Sequence, residues 1–238
     1  MLASRFLKSA RSFNAIRSFT VTSSRFAQGK SDAQLCQSLR GELEFEKNNV
    51  GEGEPDWLAE FKKNSPWKIS DKLGHKEVHF VSSFGNEKIT AVFNTDSISE
   101  AAESYEELEE NLEGAEEPSR PVSFKVLIEK NNGKDDFGAL EIDTSLQEDT
   151  FYIDNISFNK SSKVITEDSA EAEFARLGHY AGPVFGDLEE AVQEEFATFL
   201  EERGFNEQLA QTVPRYLEFK EQKEYMNWLE QVSEFISR

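Results

Sequence analysis

The 238-residue sequence predicts an α+β protein in which helices flank an antiparallel sheet. Three observations carry this prediction: helical apolar spacing near the start, alternating apolar residues through the middle, and a return to helical spacing after residue 187. The middle runs are joined by short turns, and no helix-length segment separates them, which disfavours a parallel sheet. Twenty phenylalanines supply bulky material for a folded core although 30% of the residues are charged.

The first 30 residues differ from the rest of the chain in charge. They contain six basic residues, no acidic residue and scattered apolar residues that would form one face of a helix. This composition predicts a cleaved mitochondrial transit peptide over residues 1–30 and argues against a secretory signal, which would need an unbroken apolar stretch. A basic tail that binds nucleic acid is the less favoured alternative, because the chain that follows it has no basic segment and is strongly acidic. The basic residues are Arg5, Lys8, Arg11, Arg17, Arg25 and Lys30.

The remaining chain, residues 31–238, is expected to form one strongly acidic domain. The full sequence carries 26 basic and 46 acidic residues, a net charge of −20, and removal of the leader changes this to −26. Such a polyanion attracts Lys- and Arg-rich proteins and repels phosphate, so direct nucleic-acid binding is not expected. Because Cys36 is the single cysteine, an intrachain disulfide and a cysteine-rich metal site are excluded.

A first helix is predicted after Asp32. Its apolar residues recur three and four positions apart, which places them on one face. We expect the helix to end near residues 48–49, where a linker containing Gly51, Gly53 and Pro55 begins. The face consists of Leu35, Cys36, Leu39 and Leu43.

The middle of the chain is predicted to form a meander of strands. Alternating apolar residues on both sides of Gly85-Asn86 indicate a hairpin. Further runs begin at Val122, continue after the turn at residues 131–133 through Ile142, and end around residues 151–158.

Between these strand regions lies a segment, about residues 96–120, that we predict to be a mobile acidic loop. Residues 96–118 contain ten acidic residues and no basic one, so like charges oppose compaction. The loop is either a binding surface for basic clients or a solvated spacer, and composition does not separate the two. The candidate client-binding residues are Glu103, Glu106, Glu107, Glu109, Glu110, Glu113, Glu116 and Glu117.

Two helices are predicted at the C-terminal end. The first begins near Asp187 and ends at Gly204, and Asn206 then caps a second helix that reaches about residue 236, with a kink expected at Pro214. A helix of that length spans roughly 45 Å, more than a small domain needs for its own core, so part of its apolar stripe is expected to contact another chain. The candidate assembly residues are Leu35, Leu39, Leu43, Trp228, Leu229, Val232 and Phe235.

No motif for catalysis, phosphate binding or metal binding is found, so no catalytic residue, cofactor or metal ligand is predicted. His75 and His79 are interpreted as a surface pair in preference to a metal site, because no third ligand lies nearby in sequence. Asp135-Asp136 is interpreted as part of a turn, since the spacing of a calcium loop is missing. No apolar stretch is long enough to span a membrane, while peripheral association stays open.

The chain resembles the mitochondrial acidic matrix protein family, which includes the animal mitochondrial protein that binds the globular heads of complement component 1q. The resemblance is carried by four blocks: FATFLEERGFNEQLAQTVPRYLEFKEQKEYMNWLEQVSEFI at 196–236, GNEKITAVFNTDSI at 85–98, PVSFKVLIEKNNGK at 121–134 and FYIDNISF at 151–158. It implies a strongly twisted seven-stranded antiparallel sheet, flanked by one N-terminal and two C-terminal helices, in a ring-shaped homotrimer with one acidic face.

The resemblance also implies a function. A non-enzymatic, chaperone-like protein of the mitochondrial matrix would hold basic proteins such as mitochondrial ribosomal proteins, supporting mitochondrial ribosome assembly or translation and oxidative phosphorylation. The alternative is a carboxylate-rich buffer of divalent metals, or an enzyme with a site in the channel of the trimer.

Overall fold

A computed structural model describes residues 29–50, 53–97, 121–167 and 169–238 of the chain. Nearly all of the predicted transit peptide, and the predicted acidic loop from residue 98 onward, lie outside the described residues. The elements in chain order are α1 (Lys30–Val50), α2 (Asp56–Asn64), β1 (Lys68–Asp71), β2 (Glu77–Phe84), β3 (Glu87–Asn94), β4 (Val122–Asn131), β5 (Asp136–Gln147), β6 (Thr150–Asn159), α3 (Lys163–Thr166), α4 (Ala170–Leu177), α5 (Glu190–Glu201) and α6 (Glu207–Ser237).

The strands form one antiparallel sheet in the order β1-β2-β3-β4-β5-β6. Its register aligns apolar residues across neighbouring strands, since Ala91 pairs with Phe80 on one side and with Val126 on the other, and Val126 pairs with Ile142. The predicted meander and its turn at Gly85-Asn86 are therefore confirmed.

The strand count implied by the resemblance needs correction. In the described part of the chain the sheet has six strands rather than seven. Within that part, the connections β2–β3, β4–β5 and β5–β6 are short turns, which leave no room for a further strand.

The helix count also differs from one N-terminal and two C-terminal helices. The helix α2 and the strand β1 were not predicted, because their nine and four residues are too short to show a clear period. The short helices α3 and α4, of four and eight residues, were not predicted either.

The core lies between one face of the sheet and the helices α2, α5 and α6. Aromatic rings link the layers: Phe93 stacks on Phe124 with centroids 4.5 Å apart, and Phe80 meets Tyr216 of α6 edge-on at 5.5 Å. The helix α2 adds Leu58 and Phe61 to this cluster. Burial of these large side chains is the main source of stability in a chain with so much like charge.

The helix α1 packs against the C-terminal half of α6. The thiol of Cys36 lies 3.5 Å from the carbonyl oxygen of Ser233, and Gln222 donates a hydrogen bond of 2.8 Å to the buried Glu46. The buried stripe of α1 is therefore Cys36, Leu43 and Glu46, with Leu35 exposed beside it. Of the predicted face, Cys36 and Leu43 are buried and Leu39 is half-buried, whereas the prediction for Leu35 was wrong.

Candidate functional site

The helix α5 carries an acidic surface. Residues 189–202 contain six glutamates, all exposed, and no lysine or arginine. An apolar groove of about 520 Å³ runs along the same helix, with Val192, Phe196 and Phe199 on its floor and Glu195 and Glu202 beside them. The arrangement combines carboxylates with an accessible apolar strip. The six glutamates, which we call the α5 acids, are Glu189, Glu190, Glu194, Glu195, Glu201 and Glu202.

The groove is held in place by a buried ion pair below it. Arg203 binds Glu87 through two hydrogen bonds of 2.8 and 3.2 Å, although the two residues are 116 positions apart. The guanidinium also lies 3.3 Å from the ring centroid of Phe199 and donates to that residue's carbonyl oxygen. Arg203 thereby fixes the end of α5 to the start of β3.

The charge of Glu87 is stabilised in this cluster. Burial by itself would raise the pKa of its carboxyl group, but hydrogen bonds and charges from Arg203 and Lys130 outweigh that effect and hold the pKa below its ordinary value of 4.5. Lys130 contributes through a hydrogen bond of 3.1 Å. Glu87 is therefore an anchoring carboxylate and not a group available to clients.

A second buried cluster fixes α6 to the other end of the sheet. The side chain of Lys220 is only 1% exposed and pairs with Asp71 and Glu224. Burial by itself would lower the pKa of Lys220, yet these two carboxylates raise it above the ordinary value. Tyr216 donates a hydrogen bond of 2.9 Å to Asp71, and Glu224 accepts the backbone N–H of Gly74. This cluster stabilises the fold.

The candidate residues from sequence fall into two groups. The eight glutamates proposed for client binding all lie outside the described residues. Among the assembly candidates, Leu43 and Leu229 are buried within the chain, Leu39 and Val232 are half-buried, and Leu35, Trp228 and Phe235 are exposed. Their role in assembly stays a prediction.

The α5 groove was not found from sequence. Val192, Phe196 and Phe199 have the spacing of one helix face, yet that face is only partly covered, because Val192 is 39% exposed and the two rings are half-buried. The signal that could have indicated a surface was the density of glutamates around these residues with no basic partner within the helix.

No sign of a metal site is present in the part of the chain that the structure describes, where no group of three or more His, Cys, Asp and Glu side chains is placed to hold an ion. His79 lies 3.5 Å from Glu77, and His75 lines the same shallow groove. Asp135 lies in the predicted turn, whereas Asp136 is the first residue of β5, where backbone N–H groups of Gly138 and Ser162 lower the pKa of its carboxyl group. None of the described helices is long and apolar enough to cross a membrane.

Two solved structures have a similar fold. A Leishmania major protein of unknown function, described as a sequence homologue of human p32, matches with a TM-score of 0.63 and 24% identity over 87% of this chain and 99% of that chain. The p22 protein of Trypanosoma brucei matches with a TM-score of 0.64 and 25% identity over 87% of this chain and 100% of that chain. Both support the α+β architecture.

Sequence comparison extends this similarity. The mitochondrial acidic protein mam33 of Schizosaccharomyces pombe is 31% identical over 96% of this chain and 86% of its own length. The conserved regulator of innate immunity protein 3 of Caenorhabditis elegans is 27% identical over 86% of this chain and 83% of its own length. The profile of the MAM33 family, described as mitochondrial glycoprotein, matches residues 39–236. These matches confirm the predicted mitochondrial location, and they show that the chain belongs to the MAM33 family of mitochondrial acidic proteins.

Proposed function

We propose that the protein is a non-enzymatic binding protein of the mitochondrial matrix that holds basic protein clients on its acidic surface. The observation that carries the proposal is the exposure of all six α5 acids. Within the described residues, the ion pair that one of them forms is that of Glu202 with Arg203, at 3.9 Å. Their charges therefore remain available to lysine and arginine side chains of another molecule.

The physical basis of binding would be diffuse electrostatic attraction. Each exposed carboxylate contributes little by itself in water, so affinity depends on many of them acting together. The attraction is screened over about 10 Å at 0.1 M salt, which makes salt sensitivity its diagnostic property. The predicted acidic loop at residues 96–120 would add to the same field.

Mitochondrial ribosomal proteins are the clients we favour. They are basic, and a polyanionic surface would shield them from nucleic acid and from aggregation before assembly. Support for mitochondrial ribosome assembly or translation, and through it for oxidative phosphorylation, follows from this assignment. Direct contact with RNA is not part of the proposal, because phosphate and carboxylate repel each other.

Assembly into a homotrimer is a further part of the proposal. Trp228, Val232 and Phe235 lie three and four positions apart on α6, and Leu35 lies at the edge of α1 near the same end of the helix pair. An apolar stripe of this kind on a charged protein is suited to contact with another copy. Three copies would combine their acidic surfaces in one particle.

The proposal is tested by removing the charges of α5. A variant with Glu190, Glu194, Glu195, Glu201 and Glu202 changed to Gln should capture far less basic protein from a matrix extract at about 50 mM salt, and the wild type should lose its clients at about 500 mM. The captured proteins are identified by mass spectrometry and ranked by isoelectric point.

A matched control changes five exposed glutamates that are spread over other helices, and it should retain most of the captured clients. Capture of acidic proteins, or capture that is indifferent to salt, would contradict the proposal. The control residues are Glu44, Glu60, Glu218, Glu230 and Glu234.

A further inference from the structure

The segment that connects β6 to α5 exposes several large apolar side chains. We call Phe174, Leu177, Tyr180 and Val184 the α4 patch. Phe174 and Leu177 are 80% and 81% exposed, and Tyr180 and Val184 are also largely exposed. Four exposed large apolar side chains within eleven residues lower the solubility of a protein, so their presence on a charged protein indicates a binding role.

The orientation of α4 explains why these side chains face solvent. Ala172 is buried, and Arg176 donates hydrogen bonds of 2.8 and 3.2 Å to the carbonyl oxygens of Val164 and Glu167. At about 100° per residue, the side of the helix opposite to Ala172 and Arg176 is the side that carries Phe174 and Leu177. The helix is thus anchored by one face and presents the other.

The residues after α4 are held against the edge strand β6. Asn155 donates a hydrogen bond of 3.0 Å to the carbonyl oxygen of Ala181 and forms a backbone bridge with Val184. Gly182 has φ +90°, and a Cβ there would lie 2.2 Å from the carbonyl oxygen of Ile156, so the backbone approaches β6 as only glycine allows. Tyr180 and Val184 are therefore presented from a fixed segment.

Acidic residues surround the α4 patch. Glu171 and Glu173 lie on the two flanks of Phe174 around the helix, and Glu167 precedes α4 in the chain; all three are exposed. Residues 160–190 contain three basic and seven acidic residues, a net charge of −4. An occupant of this surface needs apolar side chains for the centre and positive charges for the rim.

We propose that the α4 patch docks short basic amphipathic segments of client proteins, in which Phe or Leu side chains alternate with Arg or Lys. This inference rests on the proposed function and names the part of the client that is recognised. A second copy of the chain suits the patch less well, because the proposed contact between copies uses the apolar stripe of α6, and another acidic surface at the patch would add negative charge to an acidic rim.

The test uses the chain from residue 31 onward, which lacks the predicted transit peptide, and a fluorescein-labelled synthetic peptide, ASRFLKSARSFNAIRSFT, which has the sequence of residues 3–20 and the required chemistry. Fluorescence anisotropy at about 50 mM salt should show saturable binding. Changing Phe174 and Leu177 together to Ser should weaken it about tenfold or more, because two buried apolar contacts are lost. A peptide with serine in place of its apolar residues should bind weakly to every protein variant.

Phe45→Ser is the matched control, since Phe45 is an exposed phenylalanine on α1, and it should leave the peptide affinity unchanged.

Glu171→Gln with Glu173→Gln should weaken binding several-fold and reduce its salt dependence. Circular dichroism melts of all variants should match the wild type, because the altered side chains are exposed.

Equal affinity of the Phe174/Leu177 variant and the wild type would overturn the proposal that the α4 patch is the docking surface. If peptide binding still weakened as salt rose, the proposed function would stand although the α4 patch would not be its docking surface. Binding that ignores salt would contradict both. A smaller sedimentation coefficient for the Phe174/Leu177 variant would show that the patch joins copies of the chain, which also overturns the inference.

Discussion

Glu87 and Arg203 show how a single ion pair organises this molecule. Both side chains are buried, and their two hydrogen bonds connect the hairpin β2–β3 to the end of α5. A buried charge is costly when its partner is removed, whereas an exposed pair contributes little. The position of the α5 acids therefore depends on a carboxylate that no client touches.

Glu87→Gln is expected to destabilise the protein by about 3 kcal/mol, because Arg203 would remain buried with its charge only partly compensated. Urea denaturation followed by circular dichroism measures the effect. Glu54→Gln, which breaks the exposed pair with Lys62, is the control and should cost less than about 1 kcal/mol. Similar losses in the two variants would contradict this assignment.

The pH dependence of stability gives a second prediction at this scale. Because the pKa of Glu87 is lower in the folded protein than its ordinary value of 4.5, its ionised form stabilises the fold above that value, and this contribution is lost as the pH falls through the folded pKa. The free energy of unfolding of the wild type should therefore decrease more steeply below about pH 4.5 than that of Glu87→Gln. Parallel curves would exclude Glu87 as the titrating group.

At the scale of elements, the hairpin β5–β6 contains a local strain. Its turn residues Glu148 and Asp149 have φ of 49° and 59°, a left-handed conformation that glycine adopts at a lower steric cost than a residue with a Cβ. The meander forms nevertheless, since the register from Ala139 to Gln147 is specified by buried apolar residues on one face.

Asp149→Gly should raise the stability of the protein by about 0.5 kcal/mol, because glycine adopts positive φ without steric cost. The thermal unfolding midpoint measures the change. Asp149→Ala removes the same carboxylate and keeps a Cβ, so it separates relief of backbone strain from loss of charge. If the alanine variant gained as much as the glycine variant, charge repulsion would be the cause.

At the scale of the whole molecule, the pairing of α1 with α6 leaves an apolar stripe outside. The hydrogen bonds of Cys36 and Glu46 to α6 bury Leu43 and Leu229 in the pair, while Trp228 and Phe235 point elsewhere. Trp228 stacks only on Tyr225 among the described aromatic contacts, at 6.4 Å between centroids. Exposed apolar residues such as these can contact another copy of the chain without a loss of packing inside the monomer.

Trp228→Ala should shift the particle from trimer toward monomer in sedimentation velocity, because a large apolar contact between copies would be lost. Phe45→Ala is the control: Phe45 is similarly exposed but lies on the side of α1 away from α6, and its loss should leave sedimentation unchanged. An intact trimer of the Trp228 variant would remove this stripe from the assembly interface.

Much of the architecture was predictable because the spacing of apolar residues along the chain determines where helices and strands form. Alternating apolar residues and the turn at Gly85-Asn86 specified the hairpin β2–β3, and the Asn206 cap with its three-and-four spacing specified α6, which continues through Pro214. The charge reversal after residue 30 and the excess of acid over base were likewise properties of composition.

Tertiary structure alone decided which faces are covered. The pair Glu87–Arg203 joins residues 116 positions apart, and no local pattern specifies it. Val192 and Leu200 share a helical stripe, yet only Leu200 is buried, because burial depends on where α5 docks on the sheet. Periodicity reports which residues share a face of a helix or strand, whereas packing determines whether that face meets the core, a client or water.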